Sequence, residues 1–489
     1  MSEVDAASIH GAVRPEGNNH CPFTRGASPH ATQNACKMCT PLGAALAFAG
    51  VEGCLSILHG SQGCATYIRR YLISHFREPM DIASSSFSEE DAIFGGGRNL
   101  KIGLDNVCAA YHPLLVGVAT TCLAETIGED VPQILREYRE SRDNETIPQI
   151  VHVSTASYSG DHWDGFHKTV RALVEQLAFE PVGVATETPS INLFGGMLSC
   201  EDLRYLKRSC EEVGIKAHLI PDYSETLDGG SWSAYRRIPD GGTPSASIVG
   251  SSASMASITL GALSSIHPES AGAFLHRRFA VPHLSMPLPM GIEDTDRFLS
   301  QLAFLARGDV RPWHPDTSVL FLNPETESER SRLIDSYVDG HKYVAGKRVA
   351  VFADPDLLAG LGAFLSETGL VPVLLATGSK VANTGPLVRR IASSDGSVPV
   401  LLTGVDHALI ADRCRELRPD LIIGNSKGYP IARELGVPLV RCGMPIHDRI
   451  GAQRVLHLGY SGAQRLYDQI VNTLLEHRQD GSETGFSYL

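Results

Sequence analysis

The chain has 489 residues, of which 43% are hydrophobic, 20% charged and 7% aromatic. These are the proportions of an ordinary globular protein, and at roughly 100–200 residues per domain they predict about three domains with ample material for large cores. Forty-two Lys and Arg against 55 Asp and Glu give a formal net charge of −13; no basic run is present to follow a phosphate backbone, which argues against nucleic acid as a partner. The N-terminus has no basic stretch followed by an apolar one, and nowhere do 18 uncharged apolar residues run together, so a cytoplasmic chain with no membrane partner is expected.

In chain order, residues 1–35, rich in Gly, Pro, Asn and His, predict an N-terminal arm. Short apolar runs then alternate with helical patterns: ILH before GSQGC, LLVGVATTC (114–122), IPQIVHVSTAS (147–157), SINLFGG (190–196) and SASIVGS (245–251). Polar stretches at 224–244 and 308–330 predict irregular segments. The clearest βαβ unit starts at Lys347, with a strand at 348–353, a helix start at Asp354-Pro355-Asp356, a helix ending at Gly369 and a strand at 371–376. VPVLLTG (398–404) and DLIIGNS (420–426) repeat the strand pattern. Strands alternating with helices imply parallel sheets covered on both faces, so the expected fold is α/β, built of three doubly wound Rossmann-like lobes spanning 36–175, 176–310 and 311–489, the last with a C-terminal helix.

Eleven cysteines in a chain without a secretion signal point to metal ligation rather than disulfides. In open α/β sheets ligands bind beyond the carboxyl ends of the strands, where helix N-termini converge. Cys39 precedes a helix that Pro41 opens, Cys64 follows a strand and a Gly-Ser-Gln-Gly turn, and Cys122 ends LLVGVATTC. All three therefore sit where helix N–H groups favour a thiolate. Cys36 forms a CxxC with Cys39, but no second pair exists for zinc. Cys54, Cys108, Cys200, Cys210, Cys414 and Cys442 read as small core hydrophobes. There is no GxxxxGK[ST], GxSxG or HExxH, which argues against ATP hydrolysis by this chain itself and against the common hydrolases.

The strings CTPLGAALAFAGVEGCLSILHGSQGCATYIRRYLISHFREP (39–79), FSEEDAIFGGGRNL (87–100), VATTCLAETIGEDV (118–131), STASYSGDHWDGF (154–166) and GMPIHDRIGAQRVLHLGYSGA (443–463) resemble the β subunit of nitrogenase component 1, and the likeness covers nearly the whole chain after residue 36. It implies that Cys39, Cys64 and Cys122 ligate an interfacial [8Fe-7S] P-cluster shared with a homologous α subunit in an α2β2 assembly, with Ser157 as a possible further ligand. It also implies that Phe94 faces an ATP-hydrolysing iron protein, that Tyr67 lies beside the cluster, and that Glu78, Asp335 and Asp339 bind a divalent cation between β subunits. The catalytic cofactor is expected in the α partner, so no catalytic residue is expected here. Within the family, the compact β chain and the segment DRIGAQR look most like the reductases that cleave carbon–sulfur bonds of methylthio-alkanes. The alternatives are a nitrogenase β subunit, molybdenum or alternative, and a cofactor-assembly scaffold.

Overall fold

Strands form where Val, Ile and Leu runs end in small residues, because both faces of a parallel sheet are covered and each strand must be apolar throughout. The computed structural model describes residues 32–142, 147–179, 190–312, 323–385, 391 and 398–483. Most of the predicted arm, with Cys21, lies outside them. The first sheet comprises β1 (Cys54–His59), β2 (Ile82–Ser84), β3 (Leu115–Thr120) and β4 (Gln149–Val153), in the order β2-β1-β3-β4 with every pair parallel. Its helices are α1 (Thr40–Ala49), α2 (Gln62–Phe76), α3 (Asp91–Phe94), α4 (Gly97–Tyr111), α5 (Cys122–Ile127), α6 (Val131–Glu140) and α7 (His162–Leu177).

Successive strand residues point to opposite faces. Leu55, Ile57, Val116, Val118 and Ile150 pack with Leu100, Leu104, Leu135 and Tyr138 of α4 and α6. Cys54, Leu58, Leu115, Ala119 and Val151 belong to the core that holds Leu42 and Phe48 of α1 and Phe166 and Leu173 of α7. That core is continuous with the other two sheets. The second contains β5 (Ser190–Phe194), β6 (Lys216–Leu219), β7 (Ala256–Leu260) and β8 (His283–Met286), in the order β6-β5-β7-β8. The third contains β9 (Arg348–Phe352), β10 (Val371–Thr377), β11 (Val400–Thr403), β12 (Leu421–Gly424) and β13 (Leu439–Arg441), in the order β11-β10-β9-β12-β13. All pairs in both sheets are parallel. The α/β fold with three parallel sheets is thus as the sequence predicts, and a C-terminal helix runs Gly459–Asp480.

Polar groups join the three units. Half-buried Asp356 accepts the backbone N–H of Leu263 and Ser264, each at 2.9 Å, and the indole N–H of Trp163 at 3.2 Å, so its carboxylate is satisfied by two other lobes. His162 Nε2 meets Asp354 Oδ1 at 2.8 Å while its Nδ1 accepts Met38 N–H at 3.2 Å, tying the chain just before Cys39 to the third lobe.

Three expectations need correction. SASIVGS is a helix, Ser245–Val249, followed by a 3-10 turn, Gly250–Ala253, and the strand is the next run, Ala256–Leu260. Pro244 presets the backbone entering the helix, and only the later run is buried between β5 and β8. In the stretch 308–330, a helix starts at Pro324, capped by the Asn323 side chain accepting Thr326 N–H at 2.8 Å; residues 313–322 lie outside the described residues. The last residues of the expected arm are anchored: Ala35 bridges Asp406, and Asn34 O accepts His407 N–H at 3.1 Å. The stretch 224–244 forms turns and bends, as expected.

Candidate metal centre

The strand order of the first sheet reverses between β1 and β3, and at such a switch point the loops leaving two neighbouring strands diverge and open a crevice. The loop after β1 leads to Cys64 in the first turn of α2, the loop after β3 leads to Cys122 at the start of α5, and the loop after β4 carries Ser157. Gly60 lets the first two loops meet: its φ is +148°, and a Cβ there would lie 1.8 Å from Thr121 Oγ1. Cys39 enters from outside the sheet as the N-cap residue of α1, its carbonyl accepting Leu42 N–H at 3.1 Å.

Ser157 bridges the two sides of the site. Its N–H points to Cys122 Sγ at 3.2 Å, and its Oγ accepts the N–H of Thr40, the residue after Cys39, at 3.2 Å. The three thiols influence one another electrostatically. Burial pushes the Cys39 thiol up to about 11, and neighbouring Cys64 and Cys122 add to the rise, which the Leu42 N–H partly offsets. Cys64 is raised by burial and by Cys122. Burial thus favours the neutral thiol at Cys39 and Cys64, and a positively charged iron group would favour their thiolates. Among the described residues no three His, Cys, Asp or Glu side chains converge to hold a single metal ion. Three soft, half-buried thiols spread over one mouth suit a polynuclear iron–sulfur group better than a mononuclear ion.

The mouth faces outward. Gln62 and Gly63 are exposed, and Tyr67 and Tyr158 show 50% and 68% of their surface. Tyr67 packs against Tyr71 with ring centroids 4.7 Å apart and the ring planes tilted by 42°, and its hydroxyl is pushed up to about 12 by burial, by Tyr71 and, in smaller part, by Cys39. Phe94 ends the four-residue helix α3 and is 81% exposed beside Ile93. Cys36 is not in the cluster of thiols; it packs on the third sheet's core and is raised to about 12 by burial and by Asp354. Cys54, Cys200, Cys210, Cys414 and Cys442 are buried core residues, as read from their apolar segments, and Cys108 is half-buried.

Glu78, Asp335 and Asp339 do not form a group in one chain. Glu78 is half-buried beside Asp228 and Arg454, its carboxyl raised by burial and by Asp228. Asp335 and Asp339 lie one turn apart on the exposed side of the helix Pro324–Val344. Sequence reasoning missed the polar network behind the site: His59 at the end of β1, Ser85 after β2, and Glu129 after α5. HGS and IGED supplied its residue types, but only folding brings them together. Among the described residues no helix is long and apolar enough to cross a membrane.

Residues 39–475 match the family described as Nitrogenase component 1 type Oxidoreductase. The chain is 33% identical to the nitrogenase molybdenum-iron protein beta chain of Clostridium pasteurianum, covering 91% of this chain and 93% of that one. It is also 33% identical to the nitrogenase vanadium-iron protein beta chain of Trichormus variabilis, covering 90% and 94%. Among solved structures, a chain of nitrogenase Cp1 at pH 6.5 superposes with a TM-score of 0.87 at 32% identity, covering 94% of this chain and 97% of that one. The chain is a member of the nitrogenase component 1 type oxidoreductases, related to their β chains over nearly its whole length.

Proposed function

We propose that this chain is the β subunit of a nitrogenase-like reductase, in which Cys39, Cys64 and Cys122 supply three ligands to an [8Fe-7S] cluster completed by a homologous α subunit in an α2β2 assembly. The observation that carries this reading is the gathering of three mutually interacting thiols at the β1/β3 switch point, on a face left half open. Such a cluster supplies one-electron redox chemistry when bound. The chain's own part is to hold and tune it. The Leu42 N–H partly offsets the cost of charge on buried Cys39, and the Ser157 N–H donated to Cys122 Sγ stabilises charge on that sulfur. The Ser157 hydroxyl, beside Thr40 N–H, stands ready as a further oxygen ligand.

Exposed Phe94 and Ile93 form an apolar tip suited to transient docking of an ATP-hydrolysing iron protein, since a projecting aromatic gives large contact area for little ordering cost. A divalent cation bound by Glu78, Asp335 and Asp339 requires carboxylates from two copies of the chain. For the reaction itself, we infer reductive carbon–sulfur cleavage of methylthio-alkanes, supported by the compact β-type chain that keeps the full cysteine set together with the DRIGAQR segment. A second reading, a nitrogenase proper, is favoured by the equal 33% identity to molybdenum-iron and vanadium-iron beta chains.

The test is turnover by the anaerobically co-purified complex with its iron protein, ATP and a low-potential donor. Methanethiol, ethylene or methane from 2-(methylthio)ethanol or dimethyl sulfide, with little ammonia from nitrogen, supports the carbon–sulfur reductase. Ammonia as the main product replaces it with nitrogenase, and an iron-loaded complex without product points to a cofactor-assembly scaffold.

A further inference from the structure

Behind the exposed Phe94 tip, one carboxylate touches three segments of the chain. Glu129 follows α5 directly: Gly128, at φ +78°, ends that helix, and Glu129 N–H returns to Ala124 O at 3.2 Å. Its side chain is only 7% exposed. Oε1 accepts the N–H of Gly96, two residues after Phe94, at 2.6 Å. Oε2 meets His59 Nε2 at 3.3 Å, at the end of the strand that leads through Gly60 to Cys64.

The network is closed at its far side. Ser85 Oγ lies 3.0 Å from His59 Nδ1 and accepts Gly60 N–H at 2.9 Å. One assignment satisfies every group: the neutral imidazole donates from Nε2 to Glu129, and its Nδ1 accepts the Ser85 hydroxyl proton. Burial holds the imidazole pKa below its ordinary value, in keeping with that neutral form. The turn after Phe94 is shaped around these groups. A Cβ on Gly95 would come within 2.8 Å of Glu129 Oε1, and a Cβ on Gly96 within 2.0 Å of the Phe87 ring, which itself meets His59 edge-on at 4.9 Å.

We propose that Glu129 is a positioning residue that transmits a displacement of the Phe94 tip to the loops bearing Cys64 and Cys122. This rests on the reading of Phe94 as a docking point and of the cysteines as cluster ligands. The link is short and rigid, a single buried carboxylate hydrogen-bonded to the tip, covalently continuous with the Cys122 helix and paired with the residue that opens the Cys64 loop. A load applied at Phe94 therefore reaches both cysteine loops through buried hydrogen bonds rather than through solvent-exposed chain.

The experiment is hydrogen–deuterium exchange on the assembled complex, with and without the iron protein held by a non-hydrolysable ATP analogue, in wild type, E129A, E129Q and F94A. In wild type, docking slows exchange at 91–97 and changes it at 59–64 and 122–129. In E129A the protection at 91–97 persists, whereas the response of the two cysteine loops and the single-turnover electron-transfer rate fall about tenfold, in the range of ordinary site-to-site couplings. Reduction of the complex by titanium(III) citrate, which bypasses docking, keeps its rate. In E129Q the response is restored, because Gln accepts Gly96 N–H and donates to the opposite His59 tautomer while the Ser85 hydroxyl still accepts Gly60 N–H. Wild-type loop responses in E129A overturn the proposal, as does loss of iron or of iron-protein affinity in that variant, since either makes Glu129 a structural support of one site. Unchanged affinity in F94A instead overturns the docking reading on which the proposal stands.

Discussion

Replacing Gly43 by alanine separates backbone fit from helix propensity. Gly43 lies in α1 where that helix crosses α7, and an added Cβ would stand 1.8 Å from His162 O and 2.7 Å from Phe166 N, both backbone atoms. The first contact falls 1.2 Å short of the 3.0 Å floor that real Cβ atoms respect, and no side-chain rotation relieves it. α1 must therefore move off α7, away from packing that includes Leu42, Phe48 and Phe166. Overpacking costs about 1–3 kcal/mol when side chains can adjust, so a clash with backbone predicts about 3 kcal/mol or more, opposing the 0.5–1 kcal/mol that Gly→Ala ordinarily gains inside a helix. The control is Gly103→Ala in α4, where nothing lies within 4 Å, and which predicts a gain of about 0.5–1 kcal/mol. Matched thermal and urea unfolding scans of the two variants should shift in opposite directions. Gly43→Ala should also lower cluster iron, because the Thr40 N–H···Ser157 bond at 3.2 Å does not survive a shift of that size. A Gly43→Ala protein as stable as wild type would refute the reasoning that close α1–α7 approach holds Cys39 in place.

Replacing Cys39, Cys64 or Cys122 with alanine should each remove most cluster iron from the co-purified complex, measured by metal analysis and electron paramagnetic resonance, whereas Cys36→Ala should keep it. Phe94→Ala should weaken iron-protein affinity about tenfold while changing stability by less than about 0.5 kcal/mol, since an 81% exposed side chain contributes little to the fold; titration and a melting curve read the two effects separately. Buried His75 accepts Ile446 N–H at 3.0 Å, and burial lowers its pKa to about 4. The unfolded chain takes up that proton near 6.5 and the folded chain does not, so this contribution is complete above pH 6.5 and is lost as pH falls toward 4, by about 3 kcal/mol at most. His75→Asn, whose Oδ1 still faces Ile446 N–H, should flatten the stability–pH curve in that window; an unchanged slope would show that His75 does not set it.

Two of the three candidate cysteines were legible because a strand end leading into a helix start is a local pattern, and both Cys64 and Cys122 carry it. Cys39 was legible from Pro41 and the helix that follows. The six cysteines read as core residues lie in apolar segments, and five are buried outright. Ser157 was expected only through family resemblance; its contact with Cys122 joins residues 35 positions apart, which no local pattern encodes.

Sequence by itself determined the parallel α/β class, most strand positions, and the candidate cysteines, because apolar period, turn residues and helix starts act over a few neighbours. Tertiary structure decided the rest. Whether SASIVGS or the adjacent ASITL became the strand depended on which run β5 and β8 could bury. The joining of Glu129 to Gly96 and His59 depended on three segments meeting beyond the carboxyl ends of β1 and β3, 33 and 70 residues apart in the chain. Those choices come from burial and hydrogen-bond satisfaction among distant groups, free energies that exist only once the chain has closed on itself.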